Sequence, residues 1–329
     1  MVVKLRAETA KELLSVVSSD LDQVDRVLME AAEVSYRPLR TVLQPILAAR
    51  GKRLRPALLL LAAQQNRYDV QRLIPAAAAV ELLHTATLIH DDMIDDASTR
   101  RGVPTINDRL SDKVSVLVGD YLFAKSASLA AKTDSLEVME IFAEVLMTIA
   151  DGQLQEMFSP TSPELLREEY LRRIACKTAS LFRAATAIGA TLSDADSEEA
   201  EALRQYGFNF GMAFQIVDDI LDFVGDEHDL GKPVGSDLRQ GTLTLPSILL
   251  LQLVPEDNPV QSILRGNGHS EEDVRRAIDM VRESAALELS CAQARAFAES
   301  AKNALALIPD NQYRQTMLDL ADVLAQPVD

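Results

Sequence analysis

Apolar residues recur three and four positions apart through nearly every segment of this 329-residue chain, while the strict alternation of a half-buried strand is almost absent. That period is the helical one, so the pattern predicts an all-α protein. Helices are expected over about 8–33, 36–49, 55–65, 75–96, 110–131, 134–158, 163–190, 195–224, 242–253, 270–281, 283–308 and 310–325. Pro56, Pro75, Pro104, Pro163, Pro246 and Pro309 mark their ends. Two connections interrupt the pattern. Ala97–Asp108 carries Arg100, Arg101, Gly102 and Pro104; Gly225–Gly241 carries four glycines, Lys232, Pro233 and Asp237. Each reads either as an ordinary turn or as a lid over the helix end before it, and the second is long for a turn in a compact helical domain.

Acidic residues break the apolar stripe twice in the same way. Asp91-Asp92-Met93-Ile94-Asp95 follows Thr87-Leu88-Ile89-His90, and Asp218-Asp219-Ile220-Leu221-Asp222 follows Phe214-Gln215-Ile216-Val217. In a helix, positions i and i+4 share a face, so Asp91 with Asp95 and Asp218 with Asp222 present paired carboxylates. Like charges on largely buried helices are expensive unless a cation balances them. Either cluster alone reads equally well as a solvated face; the repeat favours a site for Mg²⁺, a hard cation that bridges carboxylates to substrate phosphates. Two such clusters across a cavity would stabilise charge on a departing diphosphate.

Composition narrows the class. The chain is 47% apolar, lacks tryptophan and is rich in alanine and leucine, which favours helices. The net charge of −17 argues against nucleic acid or an anionic membrane as partner. Cys176 and Cys291 form neither a disulfide framework nor a metal spacing, so a reducing compartment is expected. No signal peptide is recognisable after Met1, and no uninterrupted apolar run approaches the ~20 residues that span a bilayer. A single cytoplasmic domain over residues 1–329, without a transmembrane segment, is the expectation.

Against the acidic background, Gly51-Lys52-Arg53-Leu54-Arg55-Pro56 concentrates three cations before a helix. It reads as a diphosphate anchor, since arginine forks match phosphate oxygens, or as a surface basic turn. His84, alone on an apolar helix, reads more readily as a core histidine than as a ligand. Arg100 and Arg101 follow the first cluster closely enough to meet the same anion. Lys177, Thr178 and Gln215, taken singly, read as structural.

Taken together, these blocks resemble the trans-isoprenyl diphosphate synthases. The resemblance runs from about residue 38 to 325 and rests on Gly51–Pro56, Leu88–Asp96 with Arg100-Arg101-Gly102, Lys177-Thr178, Phe214–Asp222 and Gly231-Lys232-Pro233. It implies one helical bundle around a deep central cavity, a homodimer, and head-to-tail condensation of isopentenyl diphosphate with an allylic diphosphate. Asp91, Asp92, Asp95, Asp218, Asp219 and Asp222 match aspartates that bind about three Mg²⁺ on the allylic diphosphate. Arg100, Lys177 and Lys232 match contacts to that diphosphate, and Lys52, Arg55, His84 and Arg101 match the isopentenyl diphosphate site. Thr178 and Gln215 match polar groups that face the carbocation. One departure is Thr242, where many relatives carry a lysine; solanesyl-type enzymes resemble this chain there.

The same resemblance bears on product length. Short-chain relatives close the cavity with aromatic residues four or five positions before the first aspartate, where this chain has Thr87 and Ala86. Each helical turn of about 5.4 Å accommodates about one isoprene unit. Ala79 and Ala76, deeper still, are also small, so an open tube and a medium- to long-chain polyprenyl product are expected, with the floor on another helix such as 110–131. A short-chain, geranylgeranyl-type enzyme is the alternative if Leu83 or Phe123 plugs the tube. A non-catalytic, length-setting subunit of a heteromeric prenyltransferase would lack one or both clusters. A terpene cyclase would not need Lys52, Arg55 and His84.

Overall fold

The computed structural model describes residues 2–49, 51–100, 103–158, 165–225, 233–264 and 270–326. It is built of helices: α1 Val2–Leu13, α2 Ser18–Ala32, α3 Arg37–Ala48, α4 Leu54–Ala63, α5 Val70–Ile94, α6 Ile106–Arg109, α7 Asp112–Ala131, α8 Leu136–Phe158, α9 Leu166–Ile174 and α10 Ser180–Leu192. They continue as α11 Ser197–Val224, α12 Ser236–Arg239, α13 Leu245–Leu253, α14 Val260–Leu264, α15 Glu271–Glu283, α16 Ala285–Ala304 and α17 Gln312–Ala325. The one sheet among the described residues is a two-stranded hairpin, β1 Thr99–Arg100 against β2 Val103–Pro104. The all-α expectation holds.

Helix α10 is central. It packs against α4, α5 and α11, and its own residues from Leu181 to Leu192 are almost all buried. α4 can occupy this interior because its sequence is apolar on every side, with every residue but Arg55 buried. α5 is buried in the same way from Ala76 to Leu83, apolar there except for Glu81, and α7 runs along it, with the buried Ser126 hydroxyl donating to the Ala79 carbonyl at 2.8 Å. α16 covers the outer side of α11.

Several boundaries differ from expectation. The first helix begins at Val2 and is interrupted by a tighter 3₁₀ turn at Leu14–Val17. α5 begins at Val70, where the Asp69 side chain accepts from the Gln71 N–H, and Pro75 lies inside it. A proline removes only one ladder bond, and burial of the turns that follow outweighs that loss. The short helices α6, α12 and α14 and the hairpin carried too few residues to show a period. Pro163 lies outside the described residues. α5 and α7 are also long and apolar enough, by length and composition, to cross a membrane, a match that counting uninterrupted apolar runs did not register. α5 is mostly buried within the bundle.

The expected helix 163–190 is α9 and α10 joined by one π-helical turn, Ala175–Ala179. Two glycines grip that turn. A Cβ on Gly152 of α8 would collide with the Cβ of Cys176, and one on Gly211 of α11 would lie 2.6 Å from the Ala179 Cα. Only hydrogen at both positions lets three helices converge on the widened turn, and π-turns of this kind recur at functional sites.

Candidate active site

The π-turn carries Lys177 and Thr178. Widening the helix by one residue turns Thr178 toward α11, where its hydroxyl donates to Gln215 Oε1 at 2.8 Å. The Gln215 amide in turn donates to Asp219 Oδ1 at 2.8 Å, and the Tyr170 hydroxyl on α9 donates to Asp219 Oδ2 at 2.6 Å. Asp219 is 4% exposed. Burial pushes its carboxyl up to about 8, and the charge of Asp237 adds to that; the bonds from Tyr170 and Gln215 oppose it. The Tyr170 phenol is driven well above its ordinary range by the same burial and by Asp219.

Asp222, 1% exposed, sits one turn further on and organises the segment after α11. The Gly235 N–H donates to its carbonyl at 2.7 Å and the Asp237 N–H to its Oδ2 at 3.1 Å. The left-handed Gly235, at φ 73°, turns the chain back toward the cluster. Asp218 is exposed. Lys177 Nζ lies 3.1 Å from Glu156 Oε2.

The first cluster closes α5. Asp92 is buried, Asp91 half-buried and Asp95 exposed. Asp95 caps the helix, and its N–H still reaches the Asp91 carbonyl at 2.9 Å, so the two remain one turn apart. The hairpin follows, pairing Arg100 with Val103. Arg101 and Lys232, both expected in the site, lie outside the described residues, as does the Arg100 side chain.

The basic run before α4 divides its cations. Arg53, left-handed at φ 50°, points away to Asp25 and Glu81, at 2.9 and 2.7 Å. Lys52 is exposed. Arg55 enters the bundle, its guanidinium 4.3 Å from the Phe182 ring centroid on α10 and its buried Nε without a hydrogen-bond partner. Burial lowers its pKa to about 10, against the opposing charge of Glu81. A buried guanidinium held by an aromatic face and a distant carboxylate keeps donors for an anion. His84 stands one turn after Glu81 on α5, half-buried, which places it in this corner. Phe182 then meets Phe214 of α11, centroids 5.3 Å apart, so Arg55 and Gln215 lie at opposite ends of one aromatic pair.

Ala86 and Leu83 are fully buried on α5, Thr87 half-buried, its hydroxyl donating to the His84 carbonyl at 2.8 Å. Phe123 of α7 meets His90 edge-on, centroids 5.1 Å apart. Sequence reasoning missed Glu81, Tyr170, Glu156 and Arg173. Glu81 had a signal, as a lone acid within an apolar stretch of helix; Glu156 and Arg173 lie on polar helix faces, and Tyr170 reads as an ordinary buried aromatic beside Leu166 and Ile174, so those three had none.

A helical enzyme that presents carboxylates at two helix ends, beside lysine and arginine donors in an apolar interior, defines a class: one that binds and ionises diphosphate esters. The polyprenyl synthetase family matches residues 37–281. Heptaprenyl diphosphate synthase component 2 of Geobacillus stearothermophilus is 36% identical, covering 94% of this chain and 97% of that protein. Octaprenyl diphosphate synthase of Escherichia coli is 34% identical over 98% of both. The crystal structure of a polyprenyl synthase from Caulobacter crescentus, complexed with calcium and isoprenyl diphosphate, superposes with a TM-score of 0.90 at 35% identity, covering 96% of this chain and 98% of that one. The chain belongs to the polyprenyl synthetase family and is a trans-prenyltransferase. The family generally uses Mg²⁺.

Proposed function

We propose that this single polyprenyl synthase domain condenses isopentenyl diphosphate head-to-tail with an allylic diphosphate and elongates it to a medium- or long-chain all-trans polyprenyl diphosphate. The observation that carries this reading is the bonded chain Tyr170–Asp219–Gln215–Thr178 beside Lys177, a built polar site where α9 and the π-turn meet α11. Relatives named heptaprenyl and octaprenyl diphosphate synthase support the longer product. So do the small Ala76, Ala79 and Ala86 on the buried side of α5.

Asp91, Asp92, Asp95, Asp218, Asp219 and Asp222 would hold the metal. Among the described residues no three acidic, imidazole or thiol ligands converge on one point. That fits Mg²⁺, which takes one or two carboxylates and completes its shell with substrate phosphate and water. When bound, about three Mg²⁺ per site neutralise the charge that builds on the departing diphosphate. Lys177, Arg100 and Lys232 bind that diphosphate. Lys52, Arg55, His84 and Arg101 hold isopentenyl diphosphate, whose double bond attacks the allylic carbon. Thr178 and Gln215 face the cation with oxygen, and Phe182 and Phe214 keep water away from it. The proton lost from the new unit passes to the released diphosphate.

Leu117 on α7 and Met147, Leu154, Met157 and Phe158 on the neighbouring α8 are exposed apolar side chains that a second copy of the chain would cover, which supports reading the enzyme as a homodimer. We place it in the cytoplasm, on cysteines that form no disulfide. Incubation with labelled isopentenyl diphosphate and allylic primers of several lengths, with chromatographic sizing, tests the whole reading. Products longer than geranylgeranyl are expected. Products that stop there reject the long chain, and no product with any primer rejects the activity.

A further inference from the structure

A pocket of about 230 Å³ lies between α8, α9 and the turn before α13, walled by Glu156, Tyr170, Arg172, Arg173, Thr242 and Leu243. It adjoins the second aspartate cluster through two of its walls: Tyr170 bonds Asp219, and Glu156 bonds Lys177. Arg173 spans it. One guanidinium nitrogen lies 3.2 Å from Glu156 Oε1 and another donates to the Leu243 carbonyl at 2.7 Å, with the Tyr170 ring centroid 5.6 Å away. Glu156 therefore accepts Arg173 on one oxygen and Lys177 on the other. Two cations share that one carboxylate, while the charged walls of the pocket itself are Arg172 and Arg173 against Glu156 and Glu169, so Arg173 is held by a carboxylate whose charge is divided and has a donor to turn toward an anion.

The carbonyl that holds Arg173 belongs to the residue after Thr242, the uncharged position at which the resemblance implies a lysine in many relatives. A lysine there would extend from the same turn that Arg173 now touches from α9. We propose that Arg173 is a diphosphate-binding residue of this enzyme, supplying from α9 the cation that the 242 position lacks and contacting the allylic diphosphate together with Lys177. The inference rests on the synthase reading above. The chemistry suits it: a neutral carbonyl and a shared carboxylate are weak competitors for a guanidinium against a diphosphate, which accepts both prongs of the fork. The competing role is mechanical, with Arg173 merely fastening the Gly241–Leu243 turn to α9.

Arg173→Gln separates the two, because the amide can still donate to the Leu243 carbonyl while the charge is gone. The readouts are KM for the allylic primer, KM for isopentenyl diphosphate, and calorimetric binding of inorganic diphosphate in Mg²⁺. The primer KM and the diphosphate Kd should each rise about tenfold, with the isopentenyl KM changed less than about twofold. Adding Thr242→Lys to Arg173→Gln should bring both back to within about threefold of the wild type, since the charge returns from the other side of the pocket. Unchanged primer KM and diphosphate Kd in Arg173→Gln, or a loss that Thr242→Lys does not recover, overturn the assignment. If Arg173→Gln does not fold, Thr242→Lys alone decides. A subsite that already has its cation gains less than about threefold in diphosphate affinity, whereas a gain of about tenfold shows that the cation was missing and overturns the proposal. Wild-type protein that elongates no primer would reject the synthase reading itself, an outcome distinct from wild-type turnover with an indifferent Arg173.

Discussion

The two aspartate clusters share one sequence pattern but finish their helices differently. α5 stops at Ile94, so its third aspartate, Asp95, stands exposed at the cap. Asp96 then turns left-handed at φ 49°, its N–H reaching the Met93 carbonyl at 3.4 Å, while the Ala97 N–H bonds that of Asp92 at 2.9 Å. This is the Schellman closure, and it sends the chain away into the hairpin. α11 continues to Val224, past its third aspartate, and the chain beyond folds back onto Asp222. One cluster thus ends its helix with the third aspartate exposed, whereas the other buries its third aspartate under the segment that folds back on it. A repeated motif fixes the order of the carboxylates along a helix, whereas the capping of that helix sets what each carboxylate must do for stability.

The largest effects should come from breaking that contrast at the metal-binding positions. Asp91→Ala and Asp218→Ala should each reduce turnover by about 10²-fold or more, and chelation of Mg²⁺ should abolish it, with urea unfolding midpoints unchanged. The third positions should diverge. Asp95→Ala, at an exposed position, should cost less stability than Asp222→Ala, which should lose about 1–3 kcal/mol because the Asp237 N–H would be left without its acceptor. Equal stability losses in the two variants would erase the distinction.

The next effect separates the substrates. Lys52→Ala or Arg55→Ala should raise the KM for isopentenyl diphosphate about tenfold more than that for the primer, and Lys177→Ala should show the reverse bias. Lys52 is the cleaner probe, being exposed, whereas Arg55 also rests on Phe182 and its loss should cost stability. Variants that weaken both substrates alike would show that the two ends of the Phe182–Phe214 pair do not serve different diphosphates.

How much of this was legible in the residues follows the same division. The helices, both clusters and the basic run with Lys52 and Arg55 could be read because period and charge are local properties of the chain, whereas Lys177, taken singly, reads as structural and stands out only through the family resemblance. The pairing of Thr178 with Gln215 could not, since it depends on a π-turn that exists only because Gly152 and Gly211 admit neighbouring helices. Tyr170 is the clearest miss: on its own helix it is one more buried aromatic, and only the approach of α11 gives its hydroxyl a carboxylate. Arg53 errs in the other direction, as a cation of the basic run that the fold spends on Asp25 and Glu81.

A third prediction tests the wall below the first cluster. Ala86 lies just over one turn before Asp91 and is fully buried, so Ala86→Tyr puts a ring into space that a growing chain would need. Overpacking there costs about 1–3 kcal/mol, enough to stop growth after about three or four isoprene units. The first condensation should continue near its normal rate, since both diphosphate sites are untouched. Unchanged product length would show that Ala86 does not line the tube.

The smallest effect lies at the caps themselves, where the two helices hold the residues each would suit in the other. Asp96 occupies a left-handed position that glycine adopts without penalty, whereas Gly225, capping α11, is extended at φ −68° and ψ 163°, a conformation open to any residue. Asp96→Gly relieves roughly 1 kcal/mol of left-handed strain, but the added freedom of the unfolded chain takes back about 0.4–1 kcal/mol, so a gain of only a few tenths is expected. Gly225→Ala reverses the entropy term without touching a strained angle and should stabilise by about 0.4–1 kcal/mol. Asp96→Val, β-branched in the same left-handed position, should cost about 1–2 kcal/mol. Urea unfolding of the three variants orders them. If Asp96→Gly proved clearly destabilising, the Asp96 carboxylate would have a role beyond closing the helix, and the first cluster would be wired into the fold as the second is.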